Sequence, residues 1–313
     1  MAIDLLMNED TLLVEKKLAP KILFVVNAGS GNDKIDWPKE IETYYQSSNH
    51  AIEFFYLDKD FEIDQLKEKI NQLEPNTVVA VGGDGTVCLV AECLLQKNIS
   101  LGILPAGSAN GLAKELGISE VPKEALQTIS DGIARHIHAV RVNDKLCIHL
   151  SDIGFNAYML KKFESENVRG MKGYLKASVK AGWSVLFSKQ AMPITLTLGK
   201  KIINTRAVMI VVANATKYGS GALINPMGSL EDDLFEVIVL KKISVVELFK
   251  MLVSHSAFNP AKTEVFQTNQ LVIQPKGKVH FQVDGEYLGK VNKVEATLMP
   301  SALKVIMPIE VKI

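Results

Sequence analysis

Apolar residues in the first part of the chain fall in short unbroken runs, and between these runs apolar positions recur at helical spacing. "KILFVVNAGSGND" reads as a β run closed by a loop of Asn27, Gly29, Ser30 and Gly31. "WPKEIETYYQSSN" has helical spacing, "AIEFFYLD" is a second strand, and residues 64 to 73, "DQLKEKINQL", form a helix that Pro75 and Asn76 end. The strand "TVVAVGG" and the helix "TVCLVAECLLQ" follow, then a strand, loop and helix within "SLGILPAGSANGLAKELGI". Strands alternating with helices over residues 21 to 140 predict an α/β domain with a parallel sheet covered on both faces.

Past residue 140 the pattern changes. "KLCIHL", "PITLTL", "AVMIVVA", "LFEVIVL", "TEVFQTN", "LVIQP", "KVHFQVDG", "VEATLMP" and "LKVIMP" are strand-like runs between turn residues. Two helices interrupt them, one around "RGMKGYLKASVKAGWSVLF" and one at "SVVELFKMLVSH". Short strands at this spacing predict an all-β sandwich over residues 141–299, and a last strand, about 300–313, is free to return to the first sheet.

A chain of 313 residues is long enough for both domains. Lys and Arg number 35, as do Asp and Glu, so there is no net field to hold nucleic acid, and none is expected as a partner. Cys88, Cys93 and Cys147 are odd in number, sit in apolar runs and lack metal-site spacing, which suits core positions in a reducing compartment. "MAIDLLMNED" carries acids where an export signal carries basic residues, and no apolar run approaches the roughly 20 residues of a membrane-spanning helix. A cytoplasmic protein, soluble or resting on a membrane, is expected.

The chemistry concentrates where strands end. "VVAVGGDGTV" runs a buried strand into Gly82, Gly83, Asp84, Gly85 and Thr86, a turn whose backbone N–H groups a phosphate could approach closely. A carboxylate repels phosphate unless a cation or a transferred proton lies between them, so Asp84 points to metal-assisted phosphoryl transfer. Read alone, the turn is also a plain strand-to-helix junction with Asp84 as a cap. Two further loops, Asn27 to Gly31 and "PAGSAN" with Gly107, Ser108 and Asn110, follow other strands of the same sheet. All three would gather at its carboxyl edge, where ligands of open parallel sheets bind. None matches the lysine-containing phosphate loop or the dinucleotide fingerprint.

Near the other end, "FQVDGEYLG" sets Asp284 and Glu286 on either side of Gly285. If the strand persists, alternation puts both carboxylates on one face, as a metal-binding or general-base pair. The alternative is an Asp-Gly hairpin turn.

With "GGDGTV", "LPAGSANGLAKELG" and "VDGE" in this order, the chain from Lys21 onward resembles the diacylglycerol kinase catalytic family of lipid kinases, which includes sphingosine and ceramide kinases. "GGDGT" also occurs in NAD kinases and, as a variant, in phosphofructokinases. The resemblance implies a nucleotide-binding α/β domain, a β-rich lipid-binding domain, and an active site in the cleft between them. It implies that the three glycine loops surround ATP, that Asp84 orients the acceptor hydroxyl or helps bind Mg2+, and that Glu286, with Asp284, is the proton acceptor. By the same resemblance, Arg169 and Lys172 in "RGMKGY" reach the nucleotide phosphates. In "SLEDDLFEV", Ser229 and Leu234 would give carbonyls and Asp232 its side chain to a structural magnesium, a set that suits a hard cation. A solvated acidic turn is the other reading of that loop.

The sequence departs from the family in several places. Gly111 stands where bacterial members carry an acid, Lys114 where they carry arginine, His138 near a usual acid of the strand after the first domain, and Ala28 for a loop proline. Tyr158 stands near the acid by which sphingosine kinases meet the lipid amine, which favours an acylglycerol or related lipid alcohol over a sphingoid base. His136 and His138 alternate onto one strand face but lack an evident third metal ligand. The expected activity is transfer of the γ-phosphoryl of ATP to a lipid hydroxyl at a membrane surface, with a homodimer left open. The alternatives are a kinase of a soluble alcohol such as NAD and a nucleotide- or lipid-binding protein without catalysis. The helix with Trp183 and Phe187 among lysines reads as an interfacial contact or as an ordinary core-packed helix.

Overall fold

The computed structural model describes residues 19–27, 29, 35–58, 60–165, 191–216, 223–242 and 262–309. The two helices expected around 169–187 and 244–255 lie outside the described residues, as do Ala28, Ser30, Gly31, Arg169, Lys172, Trp183 and Phe187.

Strands β1 (Lys21–Val26), β2 (Ala51–Tyr56), β3 (Thr77–Gly82) and β4 (Ser100–Pro105) pair in the order β2-β1-β3-β4, all parallel. Helices α1 (Trp37–Tyr45), α2 (Ile63–Leu73), α3 (Asp84–Leu94), α4 (Gly111–Glu115) and α5 (Pro122–Asp131) accompany them. β1, β3 and β4 are buried and apolar after their first residue because both faces are covered, whereas edge strand β2 is half-buried and carries Glu53. Leu23, Val25, Val78, Ala80, Leu101 and Ile103 meet Leu66, Ile70, Val87 and Val90 of α2 and α3. Ile22, Phe24, Val26, Val79, Val81 and Leu104 meet Trp37, Ile41 and Tyr45 of α1 and Leu126 and Ile129 of α5 on the opposite face.

The second half holds β5 (Ile133–Val142), β6 (Lys145–Cys147), β7 (Leu150–Gly154), α6 (Phe155–Ser165), β8 (Met192–Leu198), β9 (Lys201–Ala207), β10 (Met209–Ala213), β11 (Phe235–Leu240), β12 (Thr263–Thr268), β13 (Gln270–Pro275), β14 (Val279–Val283), β15 (Glu286–Val291) and β16 (Val294–Met307). One layer of the sandwich is an antiparallel sheet in the order β12-β11-β10-β7-β14-β15. The facing layer is an extension of the first sheet. β16 pairs antiparallel with β13 over Val294 to Thr297 and parallel with β4 at Lys304 and Val305, while β5 runs antiparallel along nearly all of it. Between the layers, Val140, Val142, Leu196, Ile273 and Ala296 pack on Ile153, Val212, Phe235, Val237 and Phe281.

The structure alters two local readings. "KLCIHL" is not one strand: β6 ends at Cys147 and β7 starts at Leu150, and the amides of residues 148 to 150 are turned to a side chain described below. The helix after the third strand begins at Asp84, inside the glycine turn, with Gly83 as its N-cap.

Candidate active site

The three glycine loops meet at the carboxyl edge of the parallel strands. Asn27, just after β1, donates from Nδ2 to the Thr86 hydroxyl at 3.1 Å, and its Oδ1 accepts the Gly29 amide at 3.1 Å. Thr86 is buried, and a Cβ on Gly82 would stand 2.3 Å from its Oγ1, so only glycine lets β3 turn into α3 against that hydroxyl. The loops after β3 and β4 cross backbone to backbone: a Cβ on Gly107 would lie 2.4 Å from the Cα of Gly83. Asn110, left-handed at φ 52°, closes the second loop on itself; its Oδ1 accepts the Gly107 amide at 2.9 Å and its Nδ2 donates to the Gly107 carbonyl at 3.0 Å. The same amide group donates to Glu120 at 3.1 Å and, with Lys114 assisting, holds that carboxyl below the usual range. Ser108 and Gly85 are exposed on these loops. The first turn of α3 therefore presents the positive end of a helix, a setting that suits a phosphate group.

Asp84 is engaged in a way the sequence did not reveal. Its side chain turns away from its own helix, and its two oxygens accept the amides of Gly111 and Leu112 at 3.0 and 3.1 Å. It thus caps α4, across the crossing of the two loops. Gly111, where the resemblance leads an acid to be expected, offers only its amide, and that amide bonds Asp84.

Of the two readings of "VDGE", a persisting strand and an Asp-Gly hairpin turn, the structure has the turn. Val283 pairs with Glu286, and Asp284 and Gly285 form the two-residue turn of the β14–β15 hairpin at φ 46° and 89°. Asp-Gly is a favoured pair where both turn residues need positive φ, and that local preference overrides alternation. The Asp284 carboxylate accepts the amides of Ile148, His149 and Leu150 at 2.8, 3.0 and 2.9 Å, and the thiols of Cys88 and Cys147 at 3.5 Å each. The Glu286 side chain is exposed and makes no hydrogen bond or ion pair among the described residues.

Cys88 marks where the two halves meet. Burial, then the charges of Asp284, Asp84 and Glu286, push its thiol well above the ordinary range. Of these carboxylates Asp284 is in contact with the thiol, across the junction of the two halves. The halves are further joined by Glu115, whose carboxylate accepts the Thr216 amide at 3.0 Å and its hydroxyl at 2.8 Å, and by buried Asn214, which donates to the carbonyls of His138 and Ile148.

The loop of Ser229, Asp232 and Leu234 packs against β5, where the His138 amide donates to the Leu230 carbonyl at 2.7 Å. Oδ1 of Asp232 is buried with no hydrogen-bond partner among the described residues. An orphaned carboxylate oxygen fits a hard cation. No cluster of three or more His, Cys, Asp or Glu side chains forms a metal site among the described residues, so any ion here would rely on carbonyl oxygens. His136 and His138 are not brought together on a ligand: His136 is exposed, whereas buried His138 accepts the Ser301 amide on Nδ1 at 2.8 Å. Tyr158 lies on α6 and packs on His280, ring centres 5.1 Å apart, and Nδ1 of His280 is 2.8 Å from the Tyr287 hydroxyl.

Sequence reasoning passed over Asp152. It is buried in β7, accepting from the Asn156 side chain at 2.6 Å and the Ala157 amide at 3.0 Å, which caps α6. A single acid in an otherwise apolar strand was the available signal.

An α/β half fused to a β sandwich, with glycine loops facing carboxylates across the junction, is the arrangement of a phosphotransferase. Residues 21–142 match the diacylglycerol kinase catalytic domain, and residues 162–307 match the YegS C-terminal NAD kinase beta sandwich-like domain. The chain belongs to the diacylglycerol kinase catalytic family and is a phosphotransferase with an alcohol group as acceptor. It is 27% identical to a diacylglycerol kinase of Bacillus subtilis (strain 168), covering 69% of this chain and 73% of that protein. It is also 27% identical to a protein of Chromohalobacter salexigens named "probable lipid kinase YegS-like", covering 74% of this chain and 76% of that one. A crystal structure of a diacylglycerol kinase from Bacillus anthracis str. Sterne shares the fold, with a TM-score of 0.69 at 16% identity over 94% of this chain and 99% of that one. No helix among the described residues is long and apolar enough to cross a membrane.

Proposed function

We propose that the protein transfers the γ-phosphoryl of ATP to the hydroxyl of an acylglycerol or related lipid alcohol, in the cleft between the glycine loops and the β14–β15 turn. The observation that carries this reading is that the glycine loops after β1, β3 and β4 meet while Cys88 of α3 bonds Asp284 of the β14–β15 turn, joining the two halves at that place. The crossing of Gly83 over Gly107 and the first turn of α3 would hold the triphosphate through backbone amides. Asp84 and Asp284 spend their oxygens on backbone amides, which favours positioning roles for both. Glu286 is left as the carboxylate able to take the proton of the acceptor hydroxyl as the phosphoryl group moves. Magnesium, when bound with the nucleotide, offsets charge on the phosphates.

The test is to incubate the purified protein with labelled ATP, magnesium and, in separate reactions, a total lipid extract, diacylglycerol vesicles and NAD. Label is expected in a lipid product; labelling of NAD without lipid would overturn the reading in favour of a soluble acceptor.

We also propose that the loop of Ser229, Asp232 and Leu234 holds a structural magnesium, supported by the orphaned Asp232 oxygen. Millimolar magnesium is expected to raise the melting temperature of the wild-type protein, and Asp232→Asn to abolish that rise. An equal rise in the variant would show that the ion binds elsewhere.

A further inference from the structure

The donors around Asp284 are not equivalent. Its three amide partners and the Cys147 thiol all come from residues 147 to 150, on the β half of the molecule. Cys88 alone reaches it from α3, the helix that starts at Asp84 on the glycine turn. Asp84 and Cys88 are four residues apart and therefore stand one above the other on the same side of α3. At the far end, Glu286 follows Asp284 by two residues across a turn with no free register. A short rigid path thus runs from Asp84 along one helical turn to Cys88, through the thiol to Asp284, and across the hairpin to Glu286.

We propose that Cys88 is a positioning residue: by donating its thiol proton to Asp284 it sets the distance between the nucleotide loops and the acceptor base. The inference rests on the reading of this cleft as the site of phosphoryl transfer. Three further observations support it. Cys88 is half-buried with its thiol 3.5 Å from Asp284, and desolvation and the Asp284 charge push that thiol up, so it stays protonated and acts as a donor where a thiolate would repel the carboxylate. The Cys147 thiol is pushed up in the same way by burial and by Asp284, so the Asp284 carboxylate is met by two thiols as well as three amides. Asp284 sits in a left-handed turn conformation, and its bonds to residues 148–150 lock that turn against β7. The hairpin is therefore rigid within its own half, and the Cys88 contact is its link to α3.

A thiol is a weak donor, so the effect should appear in placement more than in stability. Cys88→Ala is expected to lower kcat about tenfold, well inside the roughly 100-fold that a 1 Å misplacement can cost, with KM for ATP within about twofold of wild type. Cys88→Ser keeps a donor and is expected to restore kcat to within about threefold. In native-state hydrogen exchange, Cys88→Ala should speed exchange of the Gly285 and Glu286 amides, and Cys88→Ser should not. A wild-type kcat in the alanine variant, or serine performing no better than alanine, would overturn the proposal. If the wild-type protein phosphorylates no lipid, the proposed function fails and the exchange measurement alone decides this inference: unchanged protection of Gly285 and Glu286 in Cys88→Ala would then refute it.

Discussion

Glu286→Gln is expected to cut lipid-dependent phosphoryl transfer by about 10²–10⁴-fold, the usual contribution of a positioned general base. Glutamine keeps the size and a carbonyl acceptor but cannot take a proton. The Glu286 side chain is exposed and has no bonded partner among the described residues, so the substitution should leave melting temperature and ATP affinity close to wild type. The required pattern is a large loss in kcat with little change in KM for ATP, measured with labelled ATP on the lipid product. A variant that turns over at the wild-type rate would remove Glu286 from the mechanism and leave Asp84 as the remaining candidate.

Asp84→Ala should lose activity and stability together. The carboxylate accepts two amides at the start of α4, so alanine leaves both donors without their partner and weakens the crossing of the two glycine loops. Loss of such a cap costs about 1–2 kcal/mol, and the loosened loops should raise KM for ATP by an order of magnitude or more, since amide placement is what positions a triphosphate. Asp84→Asn separates the two contributions. One amide can still be accepted, so part of the stability returns, while the negative charge does not. If chemical denaturation finds Asp84→Ala as stable as wild type, the capping role is wrong. If Asp84→Asn also recovers full turnover, the charge has no role in transfer.

Much of the fold was readable because its signals are local. Four continuous apolar strands separated by helical spacing admit few arrangements other than a covered parallel sheet, and the β half announced itself by many short runs between turns. The convergence of Asn27, Gly83, Gly107 and Asn110 followed from sheet geometry, since all four come just after parallel strands. What the sequence could not supply was the use made of each carboxylate. Asp84, Asp284 and Glu286 look alike as letters, yet the first caps a helix 27 residues away, the second gathers amides 134 to 136 residues away, and the third has an exposed side chain with no partner among the described residues. Those differences arise from tertiary contacts that no local pattern encodes. At Asp284 the sequence left two readings open, and the local Asp-Gly preference decided for the turn: alternation is a sound rule within a strand, but the Asp-Gly pair ends the strand first. Cys88 was read as core filling because burial and apolar neighbours were all the sequence offered, and its partner lies 196 residues further on.

The single long strand β16 has a mechanical result. Because it is stitched to β4 at one end and to β13 at the other, the described parts of both halves share one continuous ladder. Neither half could be cut loose without severing a strand that both need, so the spacing between the glycine turns and the β14–β15 hairpin is set by the architecture as a whole.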